Sequence, residues 1–84
     1  MDPQVIKKKI KQIIYETANI KPEDIGDKAS FVEELKLDSL TLMEIAVNIE
    51  QEFDLDIPEE DMERFTDVDA SIELVLGFGQ KQAN

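Results

Sequence analysis

The stretch ELKLDSLTLME, residues 34–44, joins a helix-start signal to the beginning of an amphipathic run. Asp38 is a good N-cap, because its carboxylate can accept hydrogen bonds from the free N–H groups of a first helical turn. The pattern predicts a helix over residues 39–53 that presents Ser39, exposed, at its N-terminus, a favourable place for a phosphate group. Its predicted core stripe is Leu42, Ile45, Ala46, Ile49 and Phe53.

A second amphipathic helix is predicted over residues 3–18. Asp2 is an N-cap candidate, and Pro3 suits the first helical position. Lysines at positions 7, 8, 9 and 11 lie mostly on the polar side, and we interpret them as a solvated face rather than as a membrane or nucleic-acid patch. The predicted buried face consists of Ile6, Ile10, Ile13, Ile14 and Ala18.

The connection between these helices, residues 19–37, is long. A structureless loop of this length is uncommon in a compact domain and is often functional. Ser30 and Glu33 have capping-box spacing, which predicts a short turn of helix there. The apolar residues that we expect to attach the connection to the core are Ile20, Ile25, Phe31, Val32, Leu35 and Leu37.

The segment after the central helix predicts a short helix and no metal site. The Asp54–Asp56 run begins like a calcium loop, but that loop needs glycine at its sixth position and glutamate at its twelfth, where this chain has Glu59 and Phe65. Pro58 instead begins a helix over residues 58–64 with acidic residues in its first turn. Met62 and Phe65 are expected to face inward.

A last helix is predicted over residues 67–77. Either Thr66 or Asp67 caps it, and Gly77 and Gly79 are expected to end it, leaving residues 80–84 as a frayed tail. Its predicted buried stripe is Val68, Ile72, Val75 and Leu76. The whole pattern predicts one all-α domain over residues 1–84, a small four-helix bundle with a short third helix and a long first connection.

Composition excludes several classes of function. The chain has 84 residues and neither cysteine nor histidine, so it lacks disulfides, thiolate metal sites and the commonest general base. No apolar run is long enough to span a membrane, and no signal-peptide pattern begins the chain. We expect a soluble cytoplasmic monomer without membrane insertion. The alternative is an organelle protein whose transit peptide has been removed.

The charge is acidic and uneven. The net charge is −11, yet residues 1–21 carry five lysines against two acids, a local charge of +3. Between Asp38 and Glu63 there is no lysine or arginine. Such a field disfavours nucleic acid and favours a partner with a basic patch. The alternative is that the acidic residues only solvate the surface.

The central helix also carries apolar residues off its core stripe. Leu40, Met43 and Val47 lie beside Glu44 and Glu50, which is typical of a docking surface. The alternative is that a small bundle buries a wider arc, with Met43 in the core.

The available chemistry argues against an enzyme. Ser39 has no histidine to activate it, and the nearest lysine in sequence, Lys36, is expected in solvent. So short a chain also lacks room for a large enclosed substrate cleft. We therefore expect no catalytic residues.

The sequence resembles the acyl carrier proteins. The resemblance covers roughly Ile6 to Leu76 and depends on five features at the family's spacing. They are Phe31, the Asp38-Ser39-Leu40 motif, Glu44, Glu52-Phe53 and Ile57-Pro58.

The resemblance implies that Ser39 carries 4′-phosphopantetheine, added from coenzyme A by a phosphopantetheinyl transferase whose metal and substrate Asp38 would help to bind. Acyl groups would be held on the arm as thioesters and delivered to synthases, reductases and acyltransferases of fatty-acid, related lipid or polyketide biosynthesis. Leu40, Glu44, Val47 and Glu50 would dock onto basic patches of these partners. The interior, lined by Phe31, Leu42, Ile45, Ile49 and Ile72, either opens to shelter an acyl chain or is an ordinary closed core.

Three positions depart from the family's pattern. Many relatives have glycine where this chain has Lys36, Thr41 replaces a common acidic residue, and Asn48 interrupts the acidic helix. A specialised polyketide, aminoacyl or peptidyl carrier is therefore an alternative to the housekeeping fatty-acid carrier. Alternatives from another class are an acidic protein-interaction module without a prosthetic group and a small structural subunit.

Overall fold

The computed structural model describes residues 2–83, with side chains described through residue 79, and this part of the chain is all-helical without a strand. The α-helices are α1, Pro3–Ala18, α2, Ser39–Phe53, and α3, Val68–Ala83. Two 3₁₀ helices, Pro22–Asp24 and Glu59–Arg64, lie in the connections. The all-α prediction is confirmed.

α1 begins and ends at side chains suited to those positions. The Asp2 carboxylate accepts a hydrogen bond from the Gln4 N–H at 2.9 Å, and Pro3 follows the cap. At the other end Asn19 adopts a left-handed conformation, φ 60°, and its N–H donates to the Tyr15 carbonyl. The four isoleucines of the predicted stripe are buried, Ala18 is half-buried against the same core, and α1 packs against both α2 and α3.

The core contains most of the residues that the apolar spacing selects. Val32 is an exception: its side chain is 57% exposed, so the expectation that it attaches the connection to the core is wrong. Neighbouring Phe31 is fully buried, so only one of these two adjacent residues enters the core. Sequence periodicity also missed Leu74 and Ser71, which are both buried in α3. The Ser71 hydroxyl donates to the Asp67 carbonyl at 2.8 Å, so its burial leaves no unsatisfied polar group.

α3 is longer than its sequence predicts. Asp67 is the cap, since its carboxylate accepts from the Ala70 N–H at 2.7 Å, but the helix does not end at Gly77. Among the described glycines none has a positive φ, so neither Gly77 nor Gly79 makes the left-handed turn that ends a helix. Phe78 packs against the core and holds the turn beyond Gly77. Residues 80–83 continue the helix instead of fraying, and Asn84 lies outside the described residues.

The predicted third helix forms as a 3₁₀ helix, one residue shorter than residues 58–64. Pro58 is its N-cap and Glu59–Arg64 its body. Met62 is half-buried and Phe65 is buried, as their inward placement requires.

Backbone hydrogen bonds fasten the long connection to the rest of the molecule. The Phe31 N–H donates to the Thr66 carbonyl at 2.9 Å, and the Asp69 N–H donates to the Asp27 carbonyl at 3.0 Å. The Asp27 carboxylate also pairs with Lys7 and Lys11 of α1 at 2.8 and 2.9 Å. The hydrogen bonds from Lys7 and then Lys11 lower the pKa of Asp27. The connection is therefore fixed between α1 and the start of α3.

The turn after Ser30 differs in detail from the predicted capping box. The Ser30 hydroxyl accepts from the Glu33 N–H at 3.1 Å, but the Ser30 N–H donates to the carboxylate of Glu34, at 3.3 Å, and not to that of Glu33. Residues 31–34 form hydrogen-bonded turns and not a helix.

Lys36, two residues before the α2 cap, has φ 59°. A side chain in this left-handed region crowds its own backbone, which glycine avoids. Lys36→Gly should therefore raise the free energy of unfolding by about 0.5–1 kcal/mol, the relief of strain less the greater flexibility of the unfolded chain. The measurement is urea denaturation. Lys28→Gly is the matched control, since exposed Lys28 has no positive φ and should lose stability on the same change. A loss of stability in Lys36→Gly would contradict the strain argument.

Candidate functional site

Ser39 is the first residue of α2, and its side chain is exposed. Asp38 precedes it in extended backbone conformation, φ −84° and ψ 171°, and caps the helix through a 2.8 Å hydrogen bond from the Thr41 N–H to its carboxylate. The Leu42 N–H donates to the Asp38 carbonyl at 3.0 Å, so the helical pattern begins at once. The result is a fixed, solvent-facing hydroxyl at a helix N-terminus.

The Asp38 carboxylate is stabilised in its ionised form. The hydrogen bond from the Thr41 N–H, followed by one from the Thr41 hydroxyl, lowers the pKa of Asp38 below its ordinary value. Desolvation opposes these two bonds, and the smallest contribution, a further lowering, comes from the Leu40 N–H. Ser39 thus has an anionic neighbour that already uses part of the positive end of the helix.

The lowered pKa of Asp38 gives a prediction on pH. A group whose pKa is depressed by folding stabilises the fold above its unfolded pKa and loses that effect as the pH falls through the folded value. Asp38→Asn retains a capping oxygen but does not titrate. Thermal melts of both proteins from neutral to acidic pH measure this effect. The difference in melting temperature, wild type minus Asp38→Asn, should decrease once the pH is lowered below about 4. A difference that stays constant or grows toward acid would contradict this assignment.

An open cleft of about 270 Å³ lies beside Ser39. One wall comes from α2, with Leu42, Met43 and Ala46, and the other from the long connection and the second 3₁₀ helix. The remaining lining residues are Ser30, Val32, Met62, Glu63, Phe65 and Thr66. Most of the lining is apolar, so the serine hydroxyl stands at the margin of a surface that can cover an apolar group.

The exposed apolar residues of α2 share one face. Leu40, Met43 and Val47 are 69%, 55% and 39% exposed, and Glu44 on the same face is also exposed. Met43 is therefore not in the core, which settles the alternative left open by its sequence position. Val32 faces the same cleft from the long connection and extends this apolar surface across it. Sequence reasoning missed Val32, although its place directly after a buried aromatic residue was the available signal.

Glu50 differs from the other predicted docking residues. Its side chain is half-buried, and the carboxylate accepts a hydrogen bond from the Ile57 N–H at 2.9 Å. Its carbonyl accepts from the Leu55 N–H at 2.8 Å, which closes the end of α2. Glu50 thus fastens the segment after α2, whereas Glu44 enters none of the ion pairs of the described residues.

The residues that the sequence suggested as a shelter for an acyl chain are packed together. Phe31, Ile45, Ile49 and Ile72 are buried in the core, while half-buried Leu42 lies at its boundary and lines the cleft. Within residues 2–83 no group of acidic side chains is arranged to hold a metal ion. In the same part of the chain, no helix is both long and apolar enough to cross a membrane.

The fold and the site together define a small all-α domain that presents one serine at a helix N-terminus beside an apolar cleft. Comparison with protein-family models gives a match to the family described as phosphopantetheine attachment site, over residues 8–75. The chain belongs to this family, and the resemblance to acyl carrier proteins is confirmed. The prosthetic group that is covalently attached to members of this family is 4′-phosphopantetheine. The site fits that group, since an exposed hydroxyl, a helix N-terminus and an adjacent apolar wall are all present.

Proposed function

We propose that the chain is an acyl carrier protein with 4′-phosphopantetheine on Ser39, serving partner enzymes of fatty-acid or related lipid or polyketide biosynthesis. The observation that carries the proposal is the exposed Ser39 hydroxyl at the start of α2, bordering the apolar cleft. The carrier is a single domain over residues 1–84, a small four-helix bundle that acts as a cytoplasmic monomer.

The work is divided between the prosthetic group and the chain. When attached, phosphopantetheine supplies a long flexible arm and a thiol that holds an acyl group as a thioester. The chain contains no cysteine, so it has no thiol of its own to compete for acyl groups. Ser39 anchors the arm, Asp38 fixes the helix start and would help to bind the transferase's metal and substrate, and the cleft offers an apolar wall beside the anchor.

Catalysis by the chain itself has little support. No histidine is available to activate Ser39, and Lys36 is exposed, whereas Ser–Lys catalysis needs a buried lysine. The proposal therefore assigns the chemistry on the cargo to partner enzymes.

We assign partner binding to the docking face, defined as Leu40, Met43, Glu44 and Val47 with Glu50 at its margin. Its exposed apolar side chains suit shallow apolar contacts, and the acidic field around it suits basic patches on a phosphopantetheinyl transferase and on synthases, reductases and acyltransferases. Because the charges are exposed, binding should be rapid, weak and sensitive to salt.

This docking face gives a prediction on loading by a phosphopantetheinyl transferase. The kcat/KM of loading should fall as NaCl rises from about 50 to 400 mM, because salt screens the attraction between exposed charges that lie more than about 10 Å apart. Glu44→Gln should lower kcat/KM about two- to fivefold at low salt, the effect of one exposed charge pair. Glu16→Gln is the matched control, because Glu16 is exposed on α1 and lies outside the docking face. Salt-independent loading, or equal effects of the two variants, would contradict the docking assignment.

The test of function uses the absence of cysteine. Loading with coenzyme A and a broad-specificity phosphopantetheinyl transferase should raise the thiol content of the folded chain from zero to one per molecule. That thiol should then accept an acyl group from a carrier-loading acyltransferase. An acidic interaction module would gain no thiol, and preference for an amino-acid or polyketide loading enzyme would identify a specialised carrier.

A further inference from the structure

Ser39 lies in a strongly anionic part of the chain that contains one cation. From Glu33 to Glu63 there are twelve acidic residues, and the only basic residue is Lys36. The next cation along the chain, Arg64, already contacts Asp61 at 3.4 Å. A phosphodiester on Ser39 would add another negative charge to this region.

The helix N-terminus is not fully available to offset that charge. The Asp38 carboxylate accepts the Thr41 N–H and adds a negative charge directly beside Ser39. A phosphate at this position therefore meets a helix end that a carboxylate has already capped. An additional positive group would stabilise it.

Lys36 is held in an unusual conformation next to this site. It is an exposed, non-glycine residue at φ 59°, while both flanking residues are fixed. The Leu35 N–H donates to the Ser30 carbonyl at 3.0 Å and the Leu37 N–H to the Phe31 carbonyl at 2.9 Å. Lys36 enters none of the ion pairs of the described residues. Backbone strain maintained in this way is concentrated at functional sites in proteins.

We propose that the Lys36 ammonium is the counter-charge of the phosphodiester on Ser39 and positions the base of the prosthetic arm. Three residues of chain separate their Cα atoms by no more than about 11 Å, and the flexible four-carbon stem of lysine can cover much of that distance. This inference rests on the proposed function, because it requires the phosphodiester to be attached to Ser39.

The experiment compares loaded and unloaded forms of the wild type, Lys36→Gln, Lys36→Arg and Lys28→Gln. Glutamine at position 36 retains a side chain in the left-handed region and removes only the charge, and Lys28 is an exposed lysine of the same connection. Intact mass first establishes loading of each protein. A wild type that gains no mass overturns the proposed function and this inference with it.

Two readouts then test Lys36 itself. At low salt, the ³¹P chemical shift of the loaded wild type should be shared by Lys36→Arg and Lys28→Gln and should differ in Lys36→Gln. The second readout is the ratio of the folding equilibrium constants of the loaded and unloaded forms of each protein. This ratio should be about two- to fivefold lower for Lys36→Gln than for the wild type, as expected for loss of one exposed charge pair. Raising NaCl should reduce both differences. If all the loaded proteins have the same ³¹P chemical shift, and loading changes their folding equilibrium constants by the same factor, the assignment of Lys36 is overturned while the carrier function stands.

Discussion

Ser39→Ala should abolish attachment of phosphopantetheine completely while leaving the fold unchanged. The chain has three serines, and their hydroxyls occupy different environments. Ser71 is fully buried and donates to the Asp67 carbonyl, and half-buried Ser30 caps the turn that follows it. Only the Ser39 hydroxyl is exposed at the start of a long helix, where a transferase can reach it.

The measurement is intact mass after incubation with coenzyme A and a phosphopantetheinyl transferase. Circular dichroism should give the same helix content for the wild type and Ser39→Ala, because an exposed methyl group replaces an exposed hydroxyl. Ser30→Ala is the matched control, since Ser30 lines the same cleft and its loss should leave loading intact. Loading of Ser39→Ala, or its loss in folded Ser30→Ala, would show that the attachment site lies elsewhere.

Phe31→Ala should be the most destabilising of the proposed substitutions. The side chain is completely buried, and truncating a buried phenylalanine costs about 3–5 kcal/mol. The residue also joins two parts of the fold, because its N–H donates to the Thr66 carbonyl and its carbonyl accepts from the Leu37 N–H. Small domains have total stabilities of about 5–15 kcal/mol, so this loss takes away a large share of the free energy of unfolding.

Val32→Ala is the control for Phe31→Ala, because it removes apolar atoms from the adjacent residue of the same turn. Because Val32 is 57% exposed, the Val32→Ala substitution should change the free energy of unfolding by no more than about 0.5 kcal/mol. Urea denaturation of both variants measures the difference. Equal effects would mean that the long connection is not held by Phe31, and that Ser39 is positioned by the helices alone.

Local signals in the sequence were sufficient for the helix starts and for the candidate attachment site. Capping depends on one side chain and the few N–H groups after it, so Asp2 and Asp38 identify the starts of α1 and α2. For α3 the sequence leaves Thr66 and Asp67 as alternatives, and the hydrogen bond from the Ala70 N–H identifies Asp67 as the cap. Helical periodicity likewise selected most of the core, because each helix buries a single face. The exposed position of Ser39 follows from the same two signals.

Features that depend on contacts between distant residues could not be read in this way. Gly77 looks like a helix end, but Phe78 packs on the core and carries α3 onward. Glu50 looks like a surface acid, but a backbone N–H seven residues later reaches its carboxylate. Lys36 is left-handed between two fixed neighbours, because the Leu35 N–H donates to the Ser30 carbonyl and the Leu37 N–H donates to the Phe31 carbonyl.

The most direct test of the account is the location of the attached group by peptide mass spectrometry. Trypsin cleaves after Lys36 and Arg64 and at no residue between them, so one peptide, residues 37–64, contains Ser39 with Thr41 as its only other hydroxyl. After loading, we expect one phosphopantetheine on this peptide and fragment ions that place it on Ser39. The account would be contradicted if the mass of phosphopantetheine were found on another residue. It would also be contradicted if the folded protein gained no such mass while a known carrier was modified in parallel.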